Sequence, residues 1–300
     1  MKTSAALQTK VSRRKMAGFY FARVLVHPGL RAMMVGLLRT WIGRHRGGKG
    51  WGSVSAVAVR NEGIIKLNNV LSTRQCADII DYLADKPFHD SNSSATFTLA
   101  EPRPRDMAFG IHAQEDVIDC PHIMELVSSQ QIVDLAGEYL GCVPTLSCLG
   151  VQWSFPTESP KVAQKFHRDC EDWKYIRFIL YLTDVDESSG PHVYVKESHR
   201  DRLPLRLRFY SQEEIVQTYG VQRVFTVLGK AGTCVAADTA GIHKGELPTG
   251  SPRLILTMTF SILPIAFMHY RAIESRHPPQ MRNYTNRLYL RRVTGQRSSA

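Results

Sequence analysis

Apolar residues recur along this chain with two different periods, and the change between them marks out its elements. Cys76, Ile79, Ile80 and Leu83 fall three and four apart, the spacing of one helical face. Just before them, Ser72-Thr73-Arg74-Gln75 forms a capping box, so an amphipathic helix is predicted over 73–85. A second helix is predicted from Gln130 to Leu140, stopped by Gly141, and a third over 212–219 between Ser211 and Gly220. Elsewhere β-branched and aromatic residues gather in short runs separated by Gly, Pro, Asp and Ser. These runs predict strands at 63–67, 145–155, 175–183, 192–195, 222–228, 233–236 and 253–263. Short strands at this spacing, with helices near the start, point to a mainly β protein with flanking helices, a sandwich or a jelly roll.

The longest apolar region, 16–42, is interrupted by Arg23, Pro28, Arg31 and Arg39, and so falls short of the roughly 18 uninterrupted residues of a membrane span. Six cysteines show no zinc-type spacing and no C-x-x-C pair, and they read as reduced thiols. No secretory signal is evident, and a cytoplasmic protein is expected.

Charge is distributed unevenly. Residues 1–61 carry twelve Lys or Arg and no acid, and residues 271–300 carry seven Arg and one Glu. The intervening 62–270 has 19 basic and 26 acidic side chains, a balance of −7. We therefore expect a basic, partly helical N-terminal extension over 1–61, a main domain over 62–265 and a basic C-terminal tail over 266–300. An Arg-rich helix without acids suits an anionic membrane surface and also resembles an organelle transit peptide. The alternative is a helical hairpin packed on the body with its arginines solvated. With no recognition-helix pattern, nucleic acid is not an expected partner. A small-molecule substrate, anionic in view of the basic termini, and a peripheral membrane contact through 1–50 are.

The candidate chemistry begins at Phe166-His167-Arg168-Asp169. On extended backbone His167 and Asp169 project to one face and can reach a single metal ion, while Arg168 points away. One further histidine would complete the two-His, one-carboxylate facial triad of non-haem Fe(II) oxygenases, and we nominate His243, flanked by Gly241 and Gly245. H-x-D alone is weak: eleven His and fourteen Asp in 300 residues yield about half an occurrence by chance. A second copy does occur, at His199-Arg200-Asp201. Context favours the first. Arg253 opens the last long strand, with Ile255 and Thr257 on its face. If that face looks inward, its guanidinium needs a carboxylate, and the far end of 2-oxoglutarate would supply one, with a hydrogen bond from Thr257.

The ordered set of Phe166-His167-Arg168-Asp169, Phe178 to Asp186, Ser189-Gly190-Pro191, Glu197-Ser198-His199, His243 and Arg253 resembles the phytanoyl-CoA dioxygenase-like family of Fe(II)/2-oxoglutarate enzymes. The likeness spans about residues 62–263 and includes the Leu71-Ser72 helix start and the Leu140-Gly141 ending. It implies a double-stranded β-helix core, iron bound by His167, Asp169 and His243, and 2-oxoglutarate bound at Arg253. It also implies hydroxylation by O2 with release of succinate, of a small-molecule or acyl/lipid-type substrate. Asp169 fills the place that related halogenases leave to a halide. The same resemblance puts His199 in a structural turn, so that Asp201 is not a ligand. Gly245 departs from the pattern, since several members carry there a Ser that touches the co-substrate. Two further readings stand beside it: a catalytically silent jelly-roll binding protein, and a cupin-type metalloenzyme that does not use 2-oxoglutarate.

Overall fold

The computed structural model describes residues 27–43, 51–90, 93, 95–158, 161–201, 208–276 and 283–291. The N-terminal part of the 16–42 region and most of the last twenty-five residues lie outside these. In chain order the elements are α1 (Pro28–Ile42), α2 (Trp51–Glu62), β1 (Ile64–Leu67), α3 (Thr73–Leu83), β2 (Phe88–Asp90), β3 (Thr96–Phe97) and β4 (Phe109–His112). Then come α4 (Gln114–Asp119), α5 (Ile123–Val127), α6 (Gln130–Leu140), β5 (Thr145–Ser154), β6 (Tyr175–Tyr181) and β7 (His192–Val195). The series ends with α7 (Gln212–Tyr219), β8 (Val224–Val227), β9 (Cys234–Ala237), β10 (His243–Gly245) and β11 (Arg253–Ser261).

Two antiparallel sheets form the jelly roll. The large one runs β1-β9-β6-β11-β5-β4-β2-β3 and the small one β10-β7-β8. Each long strand alternates as a two-sided sheet requires. On β6, Ile176, Phe178 and Leu180 face outward, joined by Leu254, Leu256, Met258 and Phe260 of β11. This outer face packs on α3 through Ile79 and Leu83 and on α6 through Ile132, Leu135 and Tyr139. The inner face of the same strands contributes Ile179, Tyr181 and Ile255, which meet Tyr194 and Val227 of the small sheet. Behind the small sheet, Ile215 of α7 covers Val193, Val195 and Ile242.

The helix ends follow local chemistry. Ser72 and Gln75 form the reciprocal capping box at the start of α3, the Ser211 hydroxyl accepts from the Glu214 amide at α7, and Gly141 closes α6 in the left-handed region. α2 packs along α6, burying Ala56 and Val59. Near the C-terminus, Thr285, Asn286, Tyr289 and Leu290 are buried against the body, and the Thr285 carbonyl accepts from the Leu146 amide at 2.9 Å. All six cysteines are free thiols. Among the described residues no helix is long and apolar enough to cross a membrane.

Phe178 lies edge-on to Phe260, ring centroids 5.6 Å apart, in the layer that joins sheet to helices. Phe178→Ala is expected to cost about 3–5 kcal/mol. Phe178→Leu, which keeps most of the volume, should cost less than half of that; urea unfolding midpoints give both values.

Candidate metal and co-substrate site

A backbone pairing builds the site. His167 and His243 lie opposite one another in an antiparallel bridge: the His167 amide donates to the His243 carbonyl at 2.9 Å and the reverse bond is 3.0 Å. Residues paired in this way present their side chains on the same face, and here the imidazole centroids are 4.4 Å apart. Each Nδ1 points at a carbonyl of its own segment, Lys165 O at 2.7 Å and Gly241 O at 3.0 Å. A carbonyl only accepts, so both Nδ1 atoms carry the proton and both Nε2 lone pairs are left free. Asp169 follows two residues after His167, its amide donating to the Thr239 carbonyl at 2.9 Å. Its Oδ1 is 3.5 Å from His167 Nε2 and its Oδ2 is 3.5 Å from His243 Nε2. Ligand-type atoms of the three side chains all lie within 4.8 Å of one another. Two imidazole nitrogens and one carboxylate at this spacing suit a divalent transition metal.

Gly241 makes room for this arrangement, and the reason is space rather than a left-handed turn. A Cβ there would collide with the Tyr194 hydroxyl.

The surroundings fix the charge. Arg177, inward on β6, donates to Asp169 Oδ2 at 2.8 Å, to Glu171 Oε1 at 2.5 Å and to Thr259 Oγ1 at 3.2 Å. Burial opposes ionisation of Asp169, but Arg177 first, and then His243 and His167, hold its carboxyl well below the usual carboxylate range. Burial pushes His243 down to about 4. Burial also opposes protonation of His167, yet Asp169 outweighs it and raises that imidazole.

A second guanidinium is placed differently. Arg253 begins β11, is buried, and donates through Nη1 to the Gly190 carbonyl, with the Tyr181 hydroxyl facing it. No carboxylate among the described residues pairs with it, and its Nε is buried without a partner. Burial therefore lowers its pKa. Gly190 holds the accepting carbonyl at φ +74, where a Cβ would come within 2.5 Å of the Glu246 carbonyl oxygen. Gly245, two residues along β10 from His243, leaves the space beside the guanidinium clear, since a Cβ there would lie 3.0 Å from Arg253 Nη2. Thr257 shares the inward face of Arg253, between Gly150 and Ile179 in the neighbouring strands.

The second H-R-D copy serves a different purpose. Asp201 accepts from Arg168 and from Tyr219, each at 2.5 Å, and His199 Nε2 lies 3.1 Å from the Arg60 carbonyl. Arg168, pointing away from the triad, also donates to the Ser198 and Ala240 carbonyls and so ties the two copies together.

Sequence reasoning missed Arg177, Glu171 and His192. Arg177 carries a visible signal, a lone cation within the otherwise apolar run Tyr175–Tyr181. His192 is buried, its ring 5.7 Å from that of His243. Its charged form is disfavoured by burial first and by His243 and Arg253 next, and its Nε2 has no partner.

No protein-family model matches the chain, and no curated protein matches it in sequence. Solved structures do resemble it. The non-heme alpha ketoglutarate dependent epimerase SnoN from nogalamycin biosynthesis aligns with a TM-score of 0.54 and 17% identity, over 78% of this chain and 96% of that one. EctD from S. alaskensis in its apoform gives 0.52 and 17%, over 84% and 88%. The non-heme alpha ketoglutarate dependent carbocyclase SnoK gives 0.50 and 16%, over 71% and 87%. At such low identity these likenesses establish the jelly-roll fold.

Arg177→Leu would leave Asp169 and Glu171 as two adjacent part-buried carboxylates without a cation. A loss of about 3–5 kcal/mol in unfolding free energy is expected. Adding Asp169→Asn and Glu171→Gln to that variant should restore part of it; urea denaturation of the three chains makes the comparison.

Proposed function

We propose that residues 62–265 form an Fe(II)/2-oxoglutarate-dependent dioxygenase of the phytanoyl-CoA dioxygenase-like kind, hydroxylating a small-molecule or acyl/lipid-type substrate. The observation that carries this reading is Arg253, a buried guanidinium with only neutral partners, beside a strand that also bears His243. Leaving a charge so placed is costly, and a ligand carboxylate is the group that relieves the cost. Two residues of extended strand cover about 7 Å, a span suited to a five-carbon dicarboxylate reaching from the triad to the guanidinium. SnoN and SnoK, which share the fold, are alpha ketoglutarate dependent enzymes by name, and this adds to the case.

In this reading His167, Asp169 and His243 would hold ferrous iron. Asp169 fills the anionic place itself, which favours hydroxylation over halogenation. Arg177 donates to Asp169 Oδ2 and would keep the carboxylate ionised and oriented toward the two imidazoles. Arg253, with Thr257, would receive the distal carboxylate of 2-oxoglutarate, and Gly245 keeps that place clear. Bound together, iron, 2-oxoglutarate and O2 supply oxidative decarboxylation to succinate and CO2 coupled to hydroxylation of the substrate.

Two measurements test this. With ferrous iron, ascorbate and 2-oxoglutarate the purified chain should release succinate slowly without substrate, and Asp169→Ala or His243→Ala should stop it; equal yields from wild type and His243→Ala would sink the assignment. Under anaerobic conditions Arg253→Gln should still bind the metal but lose about 2–5 kcal/mol of 2-oxoglutarate affinity, roughly thirtyfold to several thousandfold in Kd. Thermal stabilisation by iron with no added effect of 2-oxoglutarate on the wild type would instead favour the cupin-type reading.

A further inference from the structure

Helix α1 is amphipathic the wrong way round for a helix bathed in water. Its cations point inward: Arg31 is buried, donating to the Asp172 and Trp173 carbonyls at 2.8 and 3.2 Å, and Arg39 donates to the Leu140 carbonyl at 2.5 Å. Val35 is buried beside them. The outward face carries Leu30, Met33, Leu37 and Trp41, exposed by 46, 57, 59 and 80%. These four are spaced three, four and four residues apart, so they form one continuous stripe. Val54 and Val57 of α2 are also exposed, by 73 and 48%. Scattered exposed apolar residues need no explanation, but a stripe that ends in a nearly bare tryptophan does.

Charge names the occupant. The first 61 residues hold twelve Lys or Arg and no acid, and Arg44, Arg46 and Lys49 follow Trp41 within eight positions. A second copy of the chain would bring two such basic segments together, whereas an anionic bilayer neutralises them while its acyl boundary takes the apolar stripe. We propose that α1 is an interfacial membrane anchor, lying in the plane of an anionic bilayer with Leu30, Met33, Leu37 and Trp41 in the headgroup–acyl boundary. The body, net acidic over 62–270, stays on the water side. The inference stands on the exposed face of α1 and on the charge of the first 61 residues, and it does not depend on the chemistry of the site.

The full chain tests it by co-sedimentation with vesicles of phosphatidylcholine alone or with a minority of phosphatidylglycerol. Wild type should bind the anionic vesicles, less so as salt rises, and Leu37→Glu/Trp41→Glu should bind at least about tenfold more weakly with an unchanged melting temperature. If the glutamates unsettle the fold, Met33→Gln/Leu37→Gln, with good helix formers at exposed positions, carries the same comparison. Equal binding by wild type and variant, or no binding by wild type, overturns the proposal. So does a lipid-free dimer that the double variant converts to monomer, which would assign the stripe to a second copy.

Discussion

Two reciprocal hydrogen bonds between the main chains of residues 167 and 243 set the geometry on which the rest of this molecule's chemistry depends. They join segments far apart in sequence and hold two imidazoles side by side without using either ring nitrogen. Because the ladder fixes the backbone, the Nδ1 atoms can be given to local carbonyls and the Nε2 atoms left to converge. Asp169 enters the same cluster because side chains two apart on an extended strand share a face. The small sheet is therefore the platform of the site, and the large sheet supplies the groups that surround it.

Those surrounding groups include two inward-facing arginines with opposite electrostatic circumstances. Arg177 is satisfied, held between the carboxylates of Asp169 and Glu171. Arg253 is not: its neighbours are a carbonyl and a phenol, and glycine stands where a side chain would cover it. The first arrangement stabilises and orients a charged cluster, and the second leaves one positive charge in the interior seeking an anion. Two arginines on the same inward face thus have different roles, and the charge of their partners separates them.

The long strands were legible because they are long: over seven to ten residues the inside–outside alternation of β5, β6 and β11 outlasts local noise. The α3 and α7 starts were legible through Ser72 and Ser211, whose hydroxyls take orphan amides within their own segment. The strands β2, β3, β4 and β10, of two to four residues, were not: unlike the four-residue β1, β7, β8 and β9, they lack a run of β-branched or other apolar residues, and their existence depends on partners distant in sequence. Among the site residues, spacing and order made candidates of 167, 169, 243 and 253, but no spacing reveals that Gly245 abuts the Arg253 guanidinium or that Arg177 crosses to Asp169. Hydrophobic pattern misleads at α1, where apolar residues would be placed inside and arginines outside. Main-chain carbonyls invisible to any side-chain pattern draw Arg31 and Arg39 inward beside Val35, and they leave Leu30, Met33, Leu37 and Trp41 outside.

Arg31 has one more implication. Its guanidinium grips the carbonyls of 172 and 173, a few positions beyond Asp169 on the same stretch of chain. A strap of hydrogen bonds thus connects the outermost helix to the loop that carries the cluster's carboxylate. A displacement of that helix would be felt at residues 172 and 173 as well as at Leu140, so the periphery of the protein and the segment that carries Asp169 are joined by direct bonds.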